Sequence, residues 1–365
     1  MSHRVEALDW LRGIMAVSIM IYHLFGWIFF DMDASFLLGR LGIYGVSVFF
    51  ILSGLSMALV YSNYIKDFQT SWFFIIRRVF RIWPLLWICI ALVVITMIIR
   101  GQPPSIFLVI ANMTTIFGFI KPYAYINTGA WSIGNEMVYY AMTPFIIFLY
   151  NKNKFYGDIF TVFSFSIFCI FAFFLLRDSA TLASQWRTYI NPFNNLFLYV
   201  VGVAIFYHFK DVMLNQAINL LLFISALFFF LFYPVSGDQI LLVTGLNRVF
   251  FVLFSIVLVV SFYKFNLYSF VPRYFGVPLE QFGLATYGVY LLHPVIWLYL
   301  TALNPSLVLS NNYSLLLFIC ITTIIISIFS FNIYEKKLIK LGKNLTKNSV
   351  VSSNVCMVAY FKRLW

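Results

Sequence analysis

The sequence predicts an all-α, polytopic integral membrane protein of about ten transmembrane helices, with the N-terminus and the C-terminus both cytosolic. Three observations carry this expectation. Hydrophobic residues fill 62% of the 365 positions and charged residues only 10%, with a mean hydropathy of +0.93, whereas a soluble domain carries about 25% charged residues. The apolar residues fall in runs that repeatedly approach the roughly 20 a helix needs to cross a bilayer core of about 30 Å. The period-two alternation of a membrane barrel strand is missing, which leaves helices.

Taken in order, the first run (residues 7–30) has no small-residue cleavage site behind it and reads as a retained span, not a signal peptide. Runs at 41–61 and 82–99 follow. The fourth, 106–119, is short and leads into the polar stretch KPYAYINTGAWSIGNE, so it reads as a re-entrant or outward-facing element. Seven further runs lie at 137–150, 159–176, 196–209, 218–233, 240–263, 284–303 and 313–333. Residues 1–335 thus form one transmembrane domain, and 336–365 a short basic cytosolic tail. No internal repeat is visible.

The formal charge of +12 invites thoughts of nucleic acid, but most basic residues sit in the breaks between runs. With a cytosolic N-terminus, 18 of the 24 Lys and Arg fall on the inner side and 6 on the outer, as the positive-inside rule requires. No nucleic-acid partner is expected. Four cysteines show no metal-ligand spacing, and neither a metal nor a disulfide is expected.

Ionisable residues inside spans are costly, about 2.5 to 3.5 kcal/mol for an arginine at the helix centre, and so point to function. Arg12 and His23 are eleven residues apart, which places both on one face of the first helix with a rise of roughly 16 Å. Arg12 can snorkel or pair with Asp9, and His23 can be a satisfied interior histidine. The functional reading is a channel with a cation at its cytosolic mouth and a proton acceptor deeper in, a task suited to a side chain whose unperturbed pKa lies near 6.5.

FIIRRVFRIWPL puts Arg77, Arg78 and Arg81 at the start of the third span, with Arg78 and Arg81 on one face. They are either a topology signal or a forked grip on an anionic, phosphate-bearing ligand. In the second span, Ser53 and Gly54 lie among bulky residues, which favours close helix packing but also leaves room for a ligand. Glu136 falls at the outer end of a span as an interfacial residue or as the partner that orients a histidine. His293, just before Pro294, is either part of a helix kink or a second site histidine. Arg248, well inside its run, is expected to face the outer half of the cavity.

LDWLRGIMAVSIMIYH, GVSVFFILSG, RRVFRIWPL, WSIGNEMVYY and TYGVYLLHP occur in one order across residues 7–335, and in this the chain resembles the membrane-bound acyltransferase-3 family. The resemblance implies a ten-span fold, an inward N-terminus and acetyl-coenzyme A as co-substrate, with no tightly bound cofactor. It places the family's arginine-to-histidine motif on Arg12 and His23, its paired-arginine motif on Arg78 and Arg81, and its Phe-Phe-x-x-Ser-Gly motif on Phe49, Phe50, Ser53 and Gly54. The chain lacks the appended hydrolase-like domain of some members, so it resembles the stand-alone bacterial type that modifies lipopolysaccharide O-antigen in the inner membrane.

On this reading Arg12, Arg77, Arg78 and Arg81 hold the donor's phosphates, His23 is the general base, and Glu136 orients it with His293 behind. Ser53, Gly54 and Arg248 line the cavity. The partners are then acetyl-coenzyme A, a lipid-linked or exported polysaccharide acceptor, and membrane lipids. The alternative is a secondary transporter of a small solute, since intramembrane charges also mark solute pathways.

Overall fold

The computed structural model describes residues 5–266, 272–307 and 312–347, and among them every regular element is helical. In chain order the helices are α1 (Glu6–Ile28), α2 (Leu37–Tyr61), α3 (Phe68–Ile99), α4 (Ile106–Met113), α5 (Phe117–Ile120), α6 (Ala130–Lys152), α7 (Lys154–Ile170), α8 (Trp186–Tyr189), α9 (Pro192–Phe209), α10 (Gln216–Phe232), α11 (Gly245–Lys264), α12 (Arg273–Leu284), α13 (Thr286–Leu303) and α14 (Tyr313–Ser330). Two one-turn π segments, Phe171–Leu175 and Phe331–Glu335, extend α7 and α14.

Eight helical stretches are long and apolar enough to cross a membrane: α1, α2, α3, α7, α8 with α9, α11, α13, and α14 with its extension to Lys347. Two more approach that length. Helix α6 has 23 residues but carries Ser132, Asn135 and Glu136 in its first two turns, and α10 is apolar but has only 17. Large side chains such as Phe174, Phe232 and Phe329 stand exposed on the outside of the bundle, a surface suited to contact with lipid.

The fourth apolar run does not span. Eight residues form α4, the chain breaks at Thr115, whose φ of 57° lies in the left-handed region, and α5 adds a single turn. The Trp87 indole donates to the Met113 carbonyl at 2.7 Å and the Trp83 indole to Thr115 Oγ1 at 3.3 Å. Both tryptophans lie in the middle of α3, so the segment turns back into the bundle after α3 ends. Asn112 closes this re-entrant turn, donating to Ala124 O at 2.8 Å and accepting from the Ile126 N–H at 2.9 Å.

Helix α2 is the hub, touching α1, α6, α9 and α11. Its approach to α9 depends on two glycines. A Cβ at Gly54 would sit 2.0 Å from the Tyr199 carbonyl oxygen, and one at Gly202 would sit 2.1 Å from that of Ile51. Small residues thus let two backbones meet, the usual means of helix association where lipid removes the hydrophobic drive.

Arg40, near the start of α2, is buried and donates to the carbonyls of Ala34, Phe230, Leu231, Tyr233 and Val235 at 2.7 to 3.3 Å. It satisfies the open end of α10, whose last carbonyls have no partner of their own. At the far end, Asp67 caps α3. Its carboxylate accepts from the Thr70 N–H at 2.7 Å, and Thr70 Oγ1 accepts from the Asp67 N–H at 3.1 Å. These hydrogen bonds hold the Asp67 carboxyl below the usual carboxylate range.

Candidate active site

Helices α1, α2, α3, α6 and α13, with the end of α12, enclose a cavity of about 260 Å³. Arg12, Arg78, Arg81, Ser53 and Glu136 all line it, together with Asp9, Ser56, Ser132, Tyr140, Tyr287 and Tyr290. Five stretches far apart in sequence thereby meet in one place.

The arginines differ in how far they are committed. One nitrogen of Arg12 donates to Asp9 Oδ1 at 2.7 Å, an ion pair one turn apart on α1, and the other donates to Ser56 Oγ on α2. Arg81 forms an ion pair with buried Glu335 at 2.8 Å and lies 5.6 Å from the ring centres of both Tyr287 and Phe331. Arg78 is the least engaged. One of its nitrogens donates to the Tyr61 hydroxyl at 3.0 Å, while its Nε is buried with no hydrogen-bond partner among the described residues. Its guanidinium plane lies near the Tyr61 and Tyr140 rings, at 5.3 and 5.8 Å. A buried donor without an acceptor costs about 1 to 3 kcal/mol, and Arg78 carries that cost in a side chain that lines the cavity.

Glu136 accepts two hydroxyl protons at one oxygen, from Ser53 at 2.6 Å and from Tyr140. Its position corrects the sequence expectation. Helix α6 starts deep in the bundle, where the Tyr290 hydroxyl on α13 contacts the Gly129 carbonyl at 2.9 Å and Ser132 Oγ at 2.7 Å. Glu136 therefore sits in the cavity wall rather than at the outer end of a span, and no hydrogen bond joins it to His23 among the described residues. The re-entrant turn before α6 causes this, since it returns the chain to mid-bundle before the helix begins.

The neighbour of His23 is His293. Nδ1 of His23 lies 3.0 Å from Nε2 of His293, and Nδ1 of His293 lies 2.9 Å from the Val289 carbonyl oxygen. A carbonyl only accepts, so His293 Nδ1 carries the proton. In neutral imidazole its Nε2 is then an acceptor, and His23 must donate from Nδ1. The network thus assigns His23 a lone pair at Nε2. Trp27 stacks on His23 with ring centres 5.4 Å apart and planes 9° from parallel, and Trp297 stacks on Trp27 at 5.8 Å. The rings hold both imidazoles in one orientation.

Neither His23 nor His293 is among the residues that line the cavity, and two further expected cavity residues and one expected donor contact belong elsewhere. Gly54 faces α9, and its role is the close approach described above. Arg248 donates to Asn194 Oδ1 at 2.7 Å and to the Asn194 carbonyl at 3.0 Å, with its guanidinium 4.3 Å from the Phe168 ring centre. It is buried in the packing of α7, α9 and α11, away from the cavity. Arg77 is outside the cavity lining as well: its Nε donates to Thr346 Oγ1 at 2.8 Å, and it lies over the Tyr64 ring at 4.3 Å.

Sequence reasoning passed over Ser56, Tyr61, Tyr140 and Glu335. Tyr140 follows Glu136 by one helical turn, a spacing that could have announced the pair. Glu335 was visible as an isolated acid at the end of the last span. Nothing local announced Ser56 or Tyr61, whose partners lie on other helices.

These helices and their charged, hydroxyl-lined cavity define a polytopic membrane protein with an internal ligand-sized site. A family model described as an acyltransferase domain matches residues 5–331, so the chain belongs to the acyltransferase-3 family and is a membrane-embedded acyltransferase. No curated protein and no solved structure matches it.

Proposed function

We propose that this protein transfers an acetyl group from cytosolic acetyl-coenzyme A to a sugar hydroxyl of an exported cell-surface polysaccharide, in the bacterial inner membrane. Lipopolysaccharide O-antigen is the leading acceptor. The observation that carries the chemistry is the relay from Val289 O through His293 to His23, which leaves His23 Nε2 able to take a proton.

In the proposed step the acceptor hydroxyl gives its proton to His23 Nε2 as its oxygen adds to the thioester carbonyl carbon. The carbon–sulfur bond then breaks, and the departing sulfur takes that proton to leave as free coenzyme A. General base catalysis of this kind contributes about 10² to 10⁴-fold. Acyl transfer through an acetyl-His23 intermediate uses the same atoms and needs only a second round of attack.

The donor's phosphates belong, on this reading, in the cavity at the Arg12 level, with Arg78 the principal contact and Arg12 and Arg81 beside it. The roughly 16 Å rise from Arg12 to His23 suits a ligand whose charged end and reactive end are separated by a long flexible arm. Glu136, Ser53 and Tyr140 line the same cavity as Arg12 and give it a polar wall.

The test is the O-acetyl content of surface polysaccharide, read by proton NMR, in cells making the intact protein, His23→Ala or Arg78→Ala at equal membrane abundance. Gain of O-acetyl groups with the intact protein and loss in both variants supports the proposal. Unchanged acetylation in all three removes the acceptor class, and coenzyme A release against solute uptake in vesicles then separates another acyltransferase from a transporter.

A further inference from the structure

The last helix outruns the membrane. From Tyr313 to Lys347 it runs 35 residues, about 52 Å at 1.5 Å per residue, while a bilayer measures about 40 to 45 Å including its headgroups. Its final turns, beyond the π segment Phe331–Glu335, therefore stand at headgroup level.

These turns have three distinct faces. One packs on α3: Glu335, Gly342 and Thr346 are buried, Glu335 pairs with Arg81 and Thr346 with Arg77, and a Cβ on Gly342 would meet Phe80 Cβ at 2.7 Å. A second exposes Leu341 and Leu345, 45% and 48% accessible. The third is cationic. Lys336, Lys340, Lys343 and Lys347 are all exposed and fall within about 60° of one another at 100° per residue. No ion pair engages them among the described residues, and the acid at the start of these turns, Glu335, is turned inward to Arg81.

We infer that this lysine face binds the headgroups of anionic phospholipids, and that Leu341 and Leu345 rest on the acyl boundary beside them. Charge complementarity selects the occupant. Four ammonium groups in a row, at headgroup depth and next to an apolar strip, match a sheet of anionic phosphates. A topology signal alone would need the charges but not their alignment on one face. Because the packed face holds Arg77 and Arg81, a lipid seated here also steadies the α3 segment that carries Arg78 and Arg81 of the cavity. Lipid binding itself needs nothing from the acyl-transfer reading.

The experiment is native mass spectrometry of the full chain, purified and re-equilibrated with phosphatidylglycerol and phosphatidylcholine, counting retained lipids. The intact protein should retain phosphatidylglycerol in preference, and Lys336→Gln with Lys340→Gln, Lys343→Gln and Lys347→Gln together should reduce that preference at least tenfold, since four attractions to the anionic surface are lost. The four-fold Lys→Arg variant should keep it, which separates lost charge from lost folding. Lys152→Gln with Lys154→Gln, two exposed lysines at the junction of α6 and α7, should leave it unchanged. Equal preference in the glutamine variant and the intact protein overturns the inference. So does equal loss in the Lys152 and Lys154 pair, or displacement of the retained lipid by inorganic phosphate alone.

Discussion

His23 and His293 lie 270 residues apart in the chain and 3.0 Å apart across two helices, the Nδ1 of the first facing the Nε2 of the second. The Val289 carbonyl fixes the proton on His293 and thereby the proton on His23. One backbone oxygen, one turn before His293 on α13, thus decides which nitrogen of His23 is basic.

From this follows a graded effect on acyl transfer. His23→Ala should lower turnover by about 10² to 10⁴-fold. His293→Leu should lower kcat by about 1 to 3 kcal/mol of lost transition-state stabilisation, roughly 5 to 150-fold, with KM for the donor little changed. His293→Gln should recover part of the loss, because its amide oxygen can accept from His23 Nδ1. Equal kcat in the leucine and glutamine variants would remove the tautomer argument.

Donor binding should depend most on Arg78, which lines the cavity and whose Nε has no hydrogen-bond partner among the described residues. Titration calorimetry with coenzyme A should show Arg78→Lys weakening binding by roughly tenfold or more, since a point charge replaces the fork and charged hydrogen bonds contribute about 1.5 to 3 kcal/mol each. Arg248→Met should leave the affinity unchanged, because Arg248 spends its donors on Asn194.

Stability should be most sensitive at the pair Arg81 and Glu335. Glu335→Ala leaves a charge in the bundle without its partner, a change that costs about 3 to 5 kcal/mol in buried pairs. Replacing both residues with apolar ones of similar volume should cost less than the single change. Thermal unfolding in detergent, followed for the two variants side by side, decides this.

The contact of α2 with α9 should tolerate no added carbon. Gly54→Ala and Gly202→Ala each force a methyl against a carbonyl oxygen, and each should destabilise by about 1 to 3 kcal/mol, with Val worse than Ala. An unfolding midpoint within error of the parent would show that the helices can part at no cost.

Composition and the spacing of apolar runs were enough to predict an all-α membrane protein, because the demand for internally satisfied backbone in lipid leaves few alternatives. The same run lengths marked 106–119 as too short to span, and two short helices broken at Thr115 replace it. Intramembrane charge drew attention to Arg12, Arg78, Arg81, Glu136 and His23 for a similarly general reason: lipid makes such residues expensive wherever they fall.

What each of those residues touches was settled only by tertiary structure. Arg12 with Asp9 was legible, since one helical turn places them together. Glu136 with Ser53, Arg81 with Glu335 and His23 with His293 were not, because those pairings depend on helix order, depth and rotation. Arg248 and Gly54 show the same limit from the other side. A buried arginine and a glycine among bulky neighbours look alike in sequence whether they face a ligand or a helix, and the packing of α9 against both decided for the helix. Periodicity is a local property that the chain carries everywhere, whereas the partner of a buried polar group is chosen by whichever helix the fold brings within 3 Å of it.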